Sequence, residues 1–216
     1  MKKTAILATC AAVLTLTAFT SNPNQPAATT EMASPAKGRV YNVETAASEV
    51  KWHAKKMTGE HMGNISLKSG QLNVDKNKVT GGTFVIDMTS LTVTDIKDEG
   101  MNGKLVGHLK SDDFFGVDKH PTATFNITEV SPIAKAAAGQ PNYNVKGNLT
   151  IKGITNPVTF PATITVKDGV ATAKADVTVD RTKYDIRYRS SNFFENLGDK
   201  AIYDEFTVSL NVKAKM

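Results

Sequence analysis

From Arg39 onward, apolar side chains recur at every second position and polar ones fill the gaps. A period of two marks half-buried strands, whose successive side chains point to opposite faces. Val50, Trp52 and Ala54 alternate with Lys51, His53 and Lys55, and Phe84, Ile86 and Met88 share one face of GTFVIDMTS. Phe125 and Ile127 alternate with Thr124, Asn126 and Thr128, while Tyr143, Val145, Leu149 and Ile151 oppose Asn144, Lys146, Asn148 and Thr150. Val158, Phe160, Ala162, Ile164 and Val166 form the next apolar face. Ala171, Ala173, Ala175, Val177 and Val179 form another, and Ile202, Phe206, Val208, Leu210 and Val212 close the chain.

Turn residues separate these runs. The KDGV stretch at 167–170 is an Asp-Gly hairpin signal between two runs of matched length. The parity of Ile65 and Leu67 changes to that of Leu72 and Val74 across Gly70, which predicts a bulge or bend there. The pattern gives roughly eight strands with one oily and one polar face. A sandwich and a closed barrel both satisfy it, and the length of several runs favours a tall barrel.

One segment breaks the period. Over residues 95–116, Ile96, Met101, Leu105 and Leu109 stand at near-helical spacing, with Asp98 and Glu99 early and Lys104 and Lys110 late, as the helix dipole favours. Gly100, Gly103 and Gly107 each cost about 1 kcal/mol relative to alanine. Packing onto the sheet must therefore hold this helical insertion.

The ends of the chain differ from this body. Lys2 and Lys3 precede an uncharged apolar run, TAILATCAAVLTLTAF, which the Ser21-Asn22-Pro23 stretch ends. That is the layout of a secretory signal peptide, and the run is shorter than the roughly 20 residues of a spanning helix. The expectation is a signal peptide over 1–20 and export, with no lipoprotein anchor at Cys10. Residues 21–38, rich in Pro, Ala, Thr and Ser, read as a flexible tether, and 39–216 as one domain. Cys10 is the only cysteine, so cleavage near residue 20 leaves no thiol and no disulfide. The chain carries 26 basic and 21 acidic residues; removing Lys2 and Lys3 leaves 24 against 21, a net of +3, which is no nucleic-acid footprint.

Candidate chemistry is sparse. His53, His61, His108 and His120 form no HExxH, HxH or one-turn pair, so no metal site is expected. The densest polar run is HLKSDDFFGVDKHPTATF at 108–125. Adjacent Asp112 and Asp113 point about 100° apart on a helix, unlike paired catalytic carboxylates that converge across a cleft. The structural reading is that Ser111 caps a turn with acidic first residues, with Phe114 and Phe115 packed beneath. No GxSxG elbow or phosphate-cradling loop occurs, and no catalytic residue is assigned. The sequons at Asn64, Asn126 and Asn148 fall within strands and carry no weight. DRTKYDIRYRS, at 180–190, gathers Arg181, Arg187 and Arg189 with Tyr184 and Tyr188. Such a cluster suits an anionic head group or a covered rim.

In this order, YNVETAASEVKWHAKKM, GTFVIDMTSL, HLKSDDFFGVDKHPTATF, GNLTIKGITNPVTF and DRTKYDIRY resemble the YceI-like family, described as lipocalin-like and polyisoprenoid-binding. The resemblance spans about Val40 to Val212. It implies an all-β fold, an eight-stranded antiparallel lipocalin-like barrel around a long apolar chain in a bacterial periplasm, with HLKSDDFF at 108–115 as helical structure beside it. Asp185 departs from the glycine that relatives often carry after the RTxF/Y motif, and SSNFFENLGDKA is peculiar to this chain.

Strand parity then nominates Trp52, Phe84, Ile86, Met88, Phe125, Ile127 and Leu149 as lining residues. From the second half it adds Phe160, Ile164, Ala173, Val177, Phe206 and Val208. His108, Arg181 and Tyr184 are candidate rim or head-group contacts. The expected function is noncovalent carriage or storage of an isoprenoid lipid or quinone tail, without a catalytic cofactor, nucleic-acid partner or stable membrane insertion. Two alternatives stand beside it: a ligand-free structural or stress-response barrel, and an enzyme working on a lipid head group through His108, Asp112 or Arg181. Oligomeric state is open, a homodimer being one option.

Overall fold

A computed structural model describes residues 38–216. The signal peptide expected over 1–20 and the tether expected over 21–38 lie outside the described residues, apart from Gly38. The strands are β1 (Arg39–Val43), β2 (Glu49–Lys56), β3 (Gly59–Asp75), β4 (Lys78–Asp87), β5 (Thr122–Pro132), β6 (Tyr143–Ile151), β7 (Ile154–Lys167), β8 (Val170–Asp180) and β9 (Ile202–Lys215). One helix, α1 (Glu99–Lys110), interrupts them.

Every pairing is antiparallel, and the β3–β4 pairing joins the two ends of the order β3-β2-β9-β8-β7-β6-β5-β4 into a closed barrel of eight positions. Nine strands fit eight positions because β1 and β2 share one. β3 is 17 residues long; its first half pairs with β2 and its second half with β1. Closure removes the exposed edges that an open sheet would present for aggregation.

The predicted Asp-Gly hairpin is present. Asp168 and Gly169 have φ of 50° and 75°, the left-handed pair of a tight turn joining β7 to β8. The parity change in β3 arises two residues earlier than Gly70. The β3–β4 register steps between Leu67 and Ser69, so Lys68 is the extra residue of a bulge. Gly70 lies in regular pairing opposite Phe84.

The helix is shorter than the expected 95–116. Its N-terminus is fixed by Asp98, whose carboxylate accepts from the Met101 amide at 2.8 Å. No residue of α1 is fully buried; Leu109 is its contact with the core. Polar ties add to that contact. The Asn102 amide donates to the Val93 and Ile96 carbonyls at 2.9 Å, and Lys110 Nζ donates to the Thr89 carbonyl at 2.6 Å.

The two barrel ends differ. At one end Tyr41, Val74, Val79, Ala171 and Ala214 pack into a closed base. The opposite end carries the long connections, residues 88–121 with α1 and residues 181–201 between β8 and β9. There the Trp52 indole N–H donates to the Thr92 carbonyl at 3.0 Å, tying the first connection to β2.

Candidate functional site: an apolar lumen

The inward face does not fill the barrel. Phe84, Ile86, Phe125, Ile127, Leu149 and Val208 all point inward, yet each keeps partial exposure. In a packed core such side chains would be fully covered. Their accessible surface faces a cavity of about 230 Å³.

All thirteen residues nominated from strand parity line this cavity. Trp52, Phe84, Ile86, Phe125, Ile127 and Leu149 form the wall from β2 and β4–β6, with Met88 from the 3-10 turn just after β4, and Phe160, Ile164, Ala173, Val177, Phe206 and Val208 form it from β7–β9. Within the wall, Phe125 lies 5.6 Å from Phe160 and 6.5 Å from Phe84 between ring centroids. Leu109, Phe114 and Phe115 add a roof from the helical connection, beneath the polar 108–113 stretch. Strand parity cannot nominate those three, because they lie outside the strands.

The three polar candidates separate. Arg181 lines the cavity and is 4% exposed, so it lies within the barrel end and not on an open rim. Its Nε, Nη1 and Nη2 donate to the carbonyls of Tyr203, Ile186 and Ile202 at 3.1, 2.8 and 3.0 Å, and Nη2 stands 3.1 Å from Asp204 Oδ1. Burial pulls its pKa down while Asp204 and Asp180 oppose the shift; an arginine remains a cation here. Tyr184 is buried to 1% exposure and is not among the lining residues. Its hydroxyl has no hydrogen-bond partner, and burial, aided by Asp180, pushes its pKa up to about 12. His108 sits on α1, bonded to Asp113 at 3.0 Å, with its ring edge-on to Phe114 and Tyr188.

His108, Asp112 and Arg181 each engage a different partner. His108 engages Asp113 and not Asp112, and Asp112 pairs with Lys119 at 2.6 Å, which holds its carboxyl below the usual range. Ser111 ends α1, and its hydroxyl donates to the His108 carbonyl at 2.8 Å, so it does not cap the acidic turn through its side chain. Among the described residues, no cluster of three or more His, Cys, Asp or Glu has metal-binding proximity.

The turn after Arg181 explains the departure at Asp185. This residue closes a short 3-10 helix (Arg181–Tyr184) with φ 57° and ψ 33°, a left-handed position that glycine takes most easily and aspartate tolerates. Its carboxylate also meets Arg187 Nε at 2.7 Å.

Tyr203 marks where the cavity reaches the surface. It contributes to the lining, yet it is 53% exposed. Parity along β9 places it on the polar face, so sequence reasoning missed it. The register shift between Ala54 and Lys56 in the β2–β9 pairing alters the alternation beside it.

Known proteins share this architecture. The structure of BcnA from Burkholderia cenocepacia superimposes with a TM-score of 0.59 at 25% identity, over 80% of this chain and 99% of that one. A polyisoprenoid binding domain from Saccharophagus degradans, implicated in plant cell wall breakdown, gives 0.58 at 15% identity, over 81% and 97%. A UPF0312 protein of Pseudomonas aeruginosa is 34% identical over 100 residues, which are 46% of this chain and 43% of that protein. One from Yersinia enterocolitica is 48% identical over 58 residues, 27% of each. The chain thus matches less than half the length of these curated relatives. The model of the YceI-like domain matches residues 41–214, so the chain belongs to the YceI-like family.

Proposed function

We propose that the barrel binds a long apolar lipid, an isoprenoid chain or the tail of an isoprenoid quinone, and carries or stores it after export to the periplasm. The observation that carries this reading is the partial exposure of inward-facing Phe84, Phe125, Leu149 and Val208 to an apolar lumen. A lumen of about 230 Å³ exceeds the ~150 Å³ engineered cavity that stays dry and admits benzene. It is smaller than the ~300–1,000 Å³ of drug-sized pockets. It therefore takes a slender segment, while the remaining length leaves past Tyr203.

Burying about 200 Å² of such a chain contributes about 5 kcal/mol at ~25 cal/mol per Å². No polar contact is needed for affinity. Arg181 sets the orientation: three of its five N–H groups donate to carbonyls and Nη2 also pairs with the Asp204 carboxylate, leaving an N–H on Nη1 for an oxygen of the ligand's polar end. The likeness to a polyisoprenoid binding domain supports the choice of ligand.

Organic extraction of the purified protein followed by mass spectrometry tests the proposal. A stoichiometric isoprenoid compound is expected. Recovery of no apolar compound from protein made in several hosts would contradict it.

A further inference from the structure

Nine large apolar side chains stand exposed among the described residues, and six of them lie at the open end of the barrel: Met57, Met101, Ile154, Phe193, Phe194 and Tyr203. Isolated exposed apolar residues are ordinary, but a contiguous group marks an interaction surface. Four of these six are tied into one surface by short contacts. The Met57 amide donates to the Ala201 carbonyl at 3.0 Å, and the Ile202 amide donates to the Arg189 carbonyl at 2.9 Å, next to Tyr203. The amides of Phe193 and Phe194 both donate to the Ser190 carbonyl at 3.0 Å.

Cations stand among these side chains. The Arg187 guanidinium lies 4.9 Å from the Phe193 ring centroid, and Arg189 lies 5.1 Å from that of Tyr188. Lys56 pairs in register with Ile202, and Lys55, Lys183 and Lys200 complete six surface cations, against Glu60, Asp185, Glu195, Asp199 and Glu205. The excess is small and positive. Aromatic rings with arginines beside them suit the level of lipid head groups, where a ring is half wet and half apolar. No helix among the described residues is long and apolar enough to cross a membrane.

We infer that this surface, centred on Phe193, Phe194, Met57 and Tyr203 and flanked by Arg187 and Arg189, docks the barrel mouth onto an anionic phospholipid bilayer. The inference rests on the lipid-carrier reading for its purpose. A chain that is nearly insoluble in water must pass between bilayer and lumen, and Tyr203 belongs to both the mouth and the patch. Apolar contact supplies most of the attachment. The cations add a preference for anionic lipid that salt weakens.

A fluorescent reporter at the patch tests this directly. Trp52, the only tryptophan, is buried, so a Phe193→Trp variant adds an exposed indole to a nearly constant background. Phosphatidylcholine vesicles doped with phosphatidylglycerol should shift its emission to the blue, more than pure phosphatidylcholine vesicles do. A Val40→Trp variant, exposed at the opposite end, should show no shift. Adding Phe194→Ser and Arg187→Ser to Phe193→Trp should weaken vesicle binding at least tenfold.

No shift at residue 193, an equal shift at residue 40, or equal response to both vesicle types would overturn the inference. So would a concentration-dependent shift in lipid-free buffer, which would assign the surface to a second copy of the chain. The same measurement on a chain that also carries Ala173→Phe, which fills the lumen, separates the two readings. The filled chain should still dock while losing its cargo; in the unfilled barrel, vesicle docking without cargo contradicts the carrier reading alone, and cargo without docking contradicts this one alone.

Discussion

Gly147 occupies the inward position beneath Phe125, where a Cβ would lie 2.5 Å from two carbons of the ring and 2.5 Å from the Asn126 carbonyl oxygen. The missing side chain makes room for an aromatic ring that walls the lumen, so the cavity depends on an absence in β6 as much as on the residues around it. Gly147→Ala forces the clash into the backbone of β5, because turning the ring leaves the carbonyl contact in place. We expect a loss of about 1–3 kcal/mol, read as a lower urea midpoint with unchanged slope. An unchanged midpoint would mean that β5 and β6 yield freely at this point.

Arg181 is a buried cation whose partners are Asp204 and three carbonyls. Replacing it with methionine keeps apolar volume at the end of the lumen but strands Asp204, which is largely buried and whose Oδ1 has no partner other than the ion pair. Breaking one side of such a pair costs about 3–5 kcal/mol, whereas replacing both sides costs much less. Chemical denaturation of Arg181→Met and of Arg181→Met with Asp204→Leu should show that order. A double variant less stable than the single one would assign the stabilisation to the carbonyl contacts and not to the pair.

Tyr184 presents the opposite case, a buried hydroxyl with no partner. An unmade hydrogen bond of this kind costs about 1–3 kcal/mol, so Tyr184→Phe should leave thermal stability unchanged or raised. Its pH dependence follows from the raised pKa. Between about 10 and about 12 the unfolded tyrosine releases its proton while the folded one keeps it, so the unfolded state binds fewer protons and stability falls as pH rises. Tyr184→Phe should remove that part of the alkaline slope. Identical slopes for the two proteins would contradict burial of a neutral phenol.

Most of the barrel was legible from alternation alone. The stripe holding Phe125 and Ile127, or the one holding Ala173 and Val177, can only bury its oily face by turning it inward, and these four residues do line the cavity. Local patterns hid the features set by long-range contacts. The bulge at Lys68 was displaced from its expected place at Gly70, since a glycine suggests irregularity while pairing with β4 decides where the extra residue goes. Arg181 read as a rim cation because nothing in DRTKYDIRYRS announces that the carbonyls of Ile202 and Tyr203, some twenty positions later, will enclose it. Tyr203 was hidden in the same way, being polar by parity but turned to the mouth beside an irregular stretch of β2–β9 pairing.

Filling the lumen should separate cavity from scaffold. Ala173 faces the cavity from β8, opposite Ile164 and Val212, and keeps partial exposure. Ala173→Phe places a ring in existing space, so we expect thermal stability equal to or above that of the parent chain. A destabilisation of more than about 3 kcal/mol would instead indicate overpacking of a space already filled.

Calorimetric titration of a short polyprenyl alcohol into the parent chain and into Ala173→Phe puts the hollow barrel most directly at risk. The parent should bind one equivalent with a negative heat-capacity change, the mark of apolar surface leaving water, and Ala173→Phe should bind none while remaining folded. Equal binding by both proteins, or no binding by the parent, would contradict an apolar chain held within the lumen.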